Sequence, residues 1–192
     1  MFSSQISRAL LSDPYISKCF YGVFPCDKLP VKVKFPCAVV ANTDPSWESG
    51  EHWVCYYIDK DGKAEYFDSY GLPPSNCELF DFHNRNGVNH NYNRQQLQGT
   101  DSDACGHYCI AFLTNRARGE PLQDIVDRYK GKYPGEKDEL LIRAVNKEYD
   151  IQTKNKDQRG SGHFFSNQCC HSRLKMKCFG LRAPQHRTKK IV

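Results

Sequence analysis

Hydrophobic positions change their period several times along this chain, and each change marks an element. Residues 5–11, Gln-Ile-Ser-Arg-Ala-Leu-Leu, follow two serines and predict a short capped helix. Residues 20–30 are aromatic and broken by Pro25 and Pro30, which predicts an irregular arm lying over the core. Residues 37–43, Cys-Ala-Val-Val-Ala-Asn-Thr, form a continuous apolar run ending in polar turn residues, the pattern of a buried central strand. Residues 44–50 are loop. Residues 52–58, His-Trp-Val-Cys-Tyr-Tyr-Ile, predict a second strand, which residues 59–62 turn back into a third over 63–71. Pro73 and Pro74 break the pattern, and residues 77–82 predict a short helix. The Asn-rich run 84–93 reads as loop and 94–98 as a strand. From Ala104, residues Cys109, Phe112, Leu113 and Ala117 recur at helical spacing until Gly119 and Pro121 end the run. Helices follow over 122–129, with proline at the first turn, and over 138–149. No internal repeat is present. From Gln152 periodicity dissolves, which divides the chain into a body, 1–151, and a tail, 152–192.

The hairpin has geometric content. A loop of Lys60, Asp61 and a left-handed Gly62 pairs Asp59 with Lys63. Extending that register sets His52 opposite Tyr70 and Val54 opposite Asp68. His52 and Asp68 then share one face as diagonal neighbours, roughly 7–8 Å apart at the backbone and within side-chain reach. A loop one residue longer or shorter would turn one of them away.

Charge is unevenly placed. Of 27 Lys and Arg, ten lie from Gln152 onward with a single acid, Asp157, out of 22. The tail is therefore +9 and the body −4. A basic tail suggests an acidic partner such as nucleic acid, though a merely solvated extension has the same composition. No secretory signal or membrane span is evident. Ten cysteines without a CxxC pair, in a chain long enough to need no staples, point to free thiols in a reducing compartment.

Candidate chemistry concentrates at residues 98–109. Cys105 falls in the first turn of the predicted helix, after Asp101, Ser102 and Asp103, any of which can cap it. Unpaired N–H groups and the helix dipole there favour an anion and so a thiolate. A buried, inert thiol fits the stretch equally well. Gly106 would leave room for a substrate, and Cys109 one turn on is a core residue. Four residues can be given the roles of cysteine acyl transfer. Cys105 attacks, His52 handles the proton, Asp68 fixes the imidazole, and Gln98 offers its amide to the oxyanion.

His52-Trp53, Phe67-Asp68-Ser69 and Gln98-Gly99-x-x-Ser102-x-Ala104-Cys105-Gly106-x-x-Cys109 resemble the adenovirus-type cysteine proteases, the adenain family. That family shares a clan with the ubiquitin-like-protein proteases. The resemblance runs from about Pro14 to about Ala117 and takes in Lys28-Leu29 and the 37–43 run. The Gln-to-Cys spacing matches the adenovirus branch, the other branch being one residue shorter. The resemblance implies an α+β, papain-like fold with permuted element order: a mixed or antiparallel sheet, helices around it, and the nucleophile at a helix N-terminus. It assigns catalytic roles to His52, Asp68, Cys105 and Gln98. It implies a monomeric endopeptidase cleaving after small residues, typically Gly, in capsid precursor proteins, within the virion and host nucleus. It further implies DNA and a short viral peptide as activators, with no metal, no small-molecule cofactor and no membrane.

Two departures stand out. Family members from adenoviruses usually carry Glu where Asp68 stands, and the basic tail has no counterpart. A virus-like mobile element or another adenovirus-like DNA virus would fit both. Rival functions are a ubiquitin-like-protein protease or deubiquitinase and a catalytically idle, nucleic-acid-binding capsid component. His83, His90, His163 and His186 are expected to be exposed, His107 to be a surface or packing residue rather than a second base, and Trp53 to pack or to wall the imidazole. Cys169, Cys170, His171 and Cys178 fit no common zinc spacing.

Overall fold

The computed structural model describes residues 1–152. The tail beyond Gln152, with His163, His186 and the Cys169–Cys178 thiols, lies outside the described residues. Ten regular elements follow in order: helix α1 (Ser3–Ser12), strands β1 (Phe20–Pro25), β2 (Cys37–Asn42), β3 (Trp53–Ile58) and β4 (Lys63–Phe67), helix α2 (Cys77–Arg85), strand β5 (Val88–Tyr92), and helices α3 (Cys105–Ala117), α4 (Leu122–Tyr129) and α5 (Asp138–Glu148). The strands form one sheet in sequence order β1-β2-β3-β4-β5. β1 and β2 are parallel, β2–β3 and β3–β4 antiparallel, and β4 and β5 parallel. The chain is α+β with a mixed sheet, as expected.

Both faces of the sheet are covered, which is why β2 is apolar throughout. Ala38 and Val40 face a core shared with α1, α3, α4 and α5, while Val39 and Ala41 face a second core with Leu79 and Phe82 of α2. A strand buried on both sides loses the alternation of a half-solvated one. α3 lies against the sheet inside the larger core, and residues 105–114 are all buried. Phe112 stacks on Phe67 of β4 with ring centroids 4.5 Å apart, a contact of about 0.5–1.5 kcal/mol beyond its buried area. No described helix is long and apolar enough to cross a membrane.

Three expectations need correction. Residues 20–25 are not an irregular arm but an edge strand, β1, paired with β2 through Phe20–Ala38 and Phe24–Ala41. Gly22 and Pro25 disguise it, and both are tolerated at a sheet edge. Residues 88–92 are likewise a strand, β5, whose side chains are almost all exposed because only its backbone pairs with β4. Residues 94–98 are not a strand. They form a loop pinned by backbone bonds from Leu97 N and Gln98 N to Ser69 O, at 2.8 and 3.1 Å.

Candidate active site

The hairpin between β3 and β4 sets the first half of the site. Asp59 N donates to Lys63 O at 3.1 Å, Gly62 takes φ +81°, and Cys55 pairs with Phe67. This is the expected register. Just past the paired ends, His52 Nε2 meets Asp68 Oδ1 at 2.8 Å. The pair is largely buried, with 12% and 5% of the two side chains exposed. Asp68 Oδ1 also accepts the Tyr70 N–H at 2.8 Å, and the Tyr70 ring lies 4.8 Å from the His52 ring. The carboxylate is thus fixed from its own loop, and the imidazole is held between a carboxylate and an aromatic face.

α3 supplies the second half. Cys105 is its first residue, 7% exposed. No side chain caps this helix: Ala104 stands at the cap, not Asp101, Ser102 or Asp103. The first-turn dipole therefore has no side-chain oxygen competing for it. With Nε2 committed to Asp68, His52 Nδ1 is buried without a hydrogen-bond partner among the described residues. Cys105 is the second group, after Asp68, that acts on this ring. Burial raises the Cys105 thiol, but His52 and the Trp53 backbone N–H more than offset it, and the thiol lies below its ordinary value. Burial likewise lowers His52, yet Asp68 and then Cys105 push it up to about 10. Both shifts favour a thiolate–imidazolium pair at neutral pH.

Gln98 is 1% exposed and joins the Asp68 loop to the approach to Cys105. Ser69 Oγ donates to its Oε1 at 2.7 Å, and its Nε2 donates to Ser102 O and contacts Tyr70 Oη at 3.3 Å. Asp138, 6% exposed, secures the same loop by accepting from Gly99 N at 3.0 Å and from Tyr108 Oη at 2.8 Å. The open side of Gly106 is not space for a substrate. A Cβ there would lie 3.0 Å from Met1 Sδ and 3.2 Å from Ile6 Cδ1, so the glycine admits the start of the chain and α1.

Motif reading passed over Tyr70, Asn93 and Asp138. Tyr70 was placed opposite His52 by the hairpin register, but nothing marked the other two. Trp53 is half-buried and donates its indole N–H to Met1 O at 3.1 Å. His107 packs, with Nε2 3.1 Å from Asn146 Oδ1, and burial lowers it to about 4. His83 is not exposed: it is 7% exposed beneath Tyr56 and Tyr66, 4.2 Å from the His90 ring, and burial lowers it to about 4. Cys19, Cys26, Cys37, Cys55, Cys105 and Cys109 are free thiols, and Cys109 lies in the core.

The chain is similar to a viral thiol protease. A protein of Acanthamoeba polyphaga mimivirus named "Putative thiol protease R355" is 33% identical over 99 residues, 46% of this chain and 32% of the relative. The chain thus spans about a third of that curated relative's length. No protein-family model matches it. Among solved structures, the ASFV pS273R protease overlays with a TM-score of 0.42 and 22% identity, over 59% of this chain and 45% of that one. The central domain of Lpg1148 from Legionella pneumophila overlays with a TM-score of 0.44 and 14% identity, over 78% and 96%. The mimivirus similarity agrees with the viral cysteine-protease resemblance of the motifs.

Proposed function

We propose that this chain is a cysteine endopeptidase domain with Cys105 as nucleophile, His52 as general acid and base, and Asp68 as its orienting carboxylate. The observation that carries this reading is the 2.8 Å contact of His52 with Asp68 together with a buried Cys105 at the head of α3, an arrangement that holds the thiol below its ordinary value and raises the histidine to about 10. In the reaction, the Cys105 thiolate adds to the scissile carbonyl. His52, protonated at Nδ1, then gives that proton to the leaving amine as the C–N bond breaks and the acyl-enzyme forms. Water donates a proton back to His52 while its oxygen attacks the thioester, the C–S bond breaks, and the acid product leaves with the thiolate–imidazolium pair restored. Proton transfer of this kind contributes about 10²–10⁴-fold.

Gln98 is assigned to the oxyanion. One Nε2 hydrogen serves Ser102 O. The other makes only the 3.3 Å contact to Tyr70 Oη, a weak commitment that a developing oxyanion would replace. Such donors are worth about 3–4 kcal/mol. The mimivirus relative, named a putative thiol protease, supports the reaction class; protein substrates of virus-like particles, cleaved after Gly-type residues, are proposed from the adenain-like motifs alone. Stimulation by DNA through the basic tail and by a short viral peptide belongs to the same reading.

The test is hydrolysis of amide-linked reporter peptides with Gly-x-Gly cores, and of a candidate capsid precursor, by the full chain and by Cys105→Ala. Cleavage by the parent and none by the variant is expected. Turnover of ubiquitin-like conjugates alone would overturn the substrate class. No turnover, with Cys105 alkylated no faster than exposed Cys77, would overturn the enzyme reading.

A further inference from the structure

Where β4 ends, the sheet has a gap that one side chain fills. The last backbone pairs of this region are Cys55–Phe67 on one side and Tyr66–Tyr92 on the other. Asp68 follows directly, 4% exposed, so its own N–H and C=O need partners that the ladder no longer supplies. Asn93, the residue after β5, takes the N–H and shares the C=O with Gly71, whose N–H donates to it at 2.8 Å. Its Oδ1 accepts Asp68 N–H at 2.9 Å and its Nδ2 donates to Asp68 O at 2.6 Å. The remaining Nδ2 hydrogen goes to Gln95 O at 3.2 Å. Asn93 is 2% exposed and its carboxamide is fully used.

A carboxamide that takes the N–H and C=O of one residue imitates a strand partner. It lets the β5 backbone leave the sheet toward Gln98 while Asp68 stays locked as if still paired. Holding both peptide groups of Asp68 fixes the direction of its Cα–Cβ bond, and the Tyr70 N–H then fixes the carboxylate about that bond. The 2.8 Å contact to His52 depends on both restraints. We infer that Asn93 is a positioning residue for Asp68, acting on the His52–Cys105 pair without touching it, through a clamp on the backbone of the orienting carboxylate. This rests on the cysteine-protease reading above. A misplacement of about 1 Å in such a site costs on the order of 10²-fold.

The test reads the thiol directly and needs no substrate. Carboxamidomethylation of Cys105 is followed by peptide mass from pH 4 to 10 in the full chain, Asn93→Ala, Asn93→Asp, Asp68→Asn and the Asn93→Ala/Asp68→Asn double variant, each checked for folding by thermal melting. Asn93→Asp keeps the acceptor for Asp68 N–H but has no hydrogen for Asp68 O or Gln95 O. If Asn93→Ala does not fold, Asn93→Ser takes its place. Both single Asn93 variants should lower the Cys105 rate at pH 6 about tenfold and move the profile upward by about one pH unit. In the Asp68→Asn background the same change should have less than a twofold effect, because the route runs through that carboxylate. An unmoved profile, or an equal loss in the Asp68→Asn background, would overturn the inference. A parent chain whose Cys105 reacts only as an ordinary thiol would instead overturn the enzyme reading and the inference with it.

Discussion

Replacing Asp68 by Asn separates charge from shape at the centre of the site. The amide keeps an oxygen where Oδ1 now accepts from His52 Nε2 and Tyr70 N, both at 2.8 Å, so neither bond need be lost. Only the negative charge goes. A hydrogen bond to a charged group is worth about 1.5–3 kcal/mol against about 0.5–1.5 for a neutral one. The rise of His52 to about 10, against an ordinary 6.5, is larger still, at 1.36 kcal/mol per unit. Asp68 supplies the largest share of that rise, with Cys105 next and burial opposing both. A loss of about 2–3 kcal/mol from the thiolate–imidazolium pair follows, or ~30- to 150-fold in its equilibrium constant. The assay is the pH dependence of Cys105 carboxamidomethylation, with Cys77 as internal reference. The parent's Cys105 should react through a thiolate at a lower pH than an ordinary thiol does. Asp68→Asn should reach the same rate only about 1.5–2 units higher, with little change in melting temperature. A variant whose profile overlies the parent's would refute the claim that this carboxylate sustains the pair.

Gln98→Ala should lower kcat about 10²–10³-fold while leaving Cys105 alkylation nearly untouched, because a haloacetamide reaction generates no tetrahedral oxyanion; equal losses in both assays would contradict the assignment. Gly71→Ala should destabilise the chain by about 1–3 kcal/mol in denaturant melts, since φ is +72° and the new Cβ would lie 2.7 Å from the Gln95 carbonyl carbon. Acid should weaken the fold through His83 and His107: each is held near 4 when folded against about 6.5 unfolded, so the unfolded chain takes up protons first. Their stability contribution is complete above about pH 6.5 and falls away toward pH 4, and His83→Phe should flatten that limb of a melting-temperature profile.

The parts of the site legible in the sequence are those set by local rules. A turn with glycine at its left-handed position fixed the pairing of Asp59 with Lys63, and that parity alone placed His52 and Asp68 on one face. The apolar run of β2 and the helical spacing of α3 were equally plain. Elements whose evidence is non-local were not. β1 contains Gly22 and Pro25, and β5 presents Asn89, His90 and Asn91 to solvent, so neither shows a strand's pattern; each is a strand because a neighbour pairs with its backbone. The cap of α3 looked like the work of Asp101, Ser102 or Asp103, but the loop is held instead by Asp138, 39 residues from Gly99. His83 carries no sequence sign of burial, since the rings around it come from β3 and β4. Asn93 looked like one more asparagine in a polar run.

Ser69 accepts the backbone N–H groups of Leu97 and Gln98 and donates its hydroxyl to the Gln98 carboxamide, while its neighbour Asp68 holds the imidazole. Two limbs of chemistry that a designer would wish to adjust separately thus hang from one hinge-post. Sequence drift in residues 68–71 disturbs both together, so diversification of this scaffold has more freedom almost anywhere else, and directed evolution of selectivity would do best to leave those four positions alone.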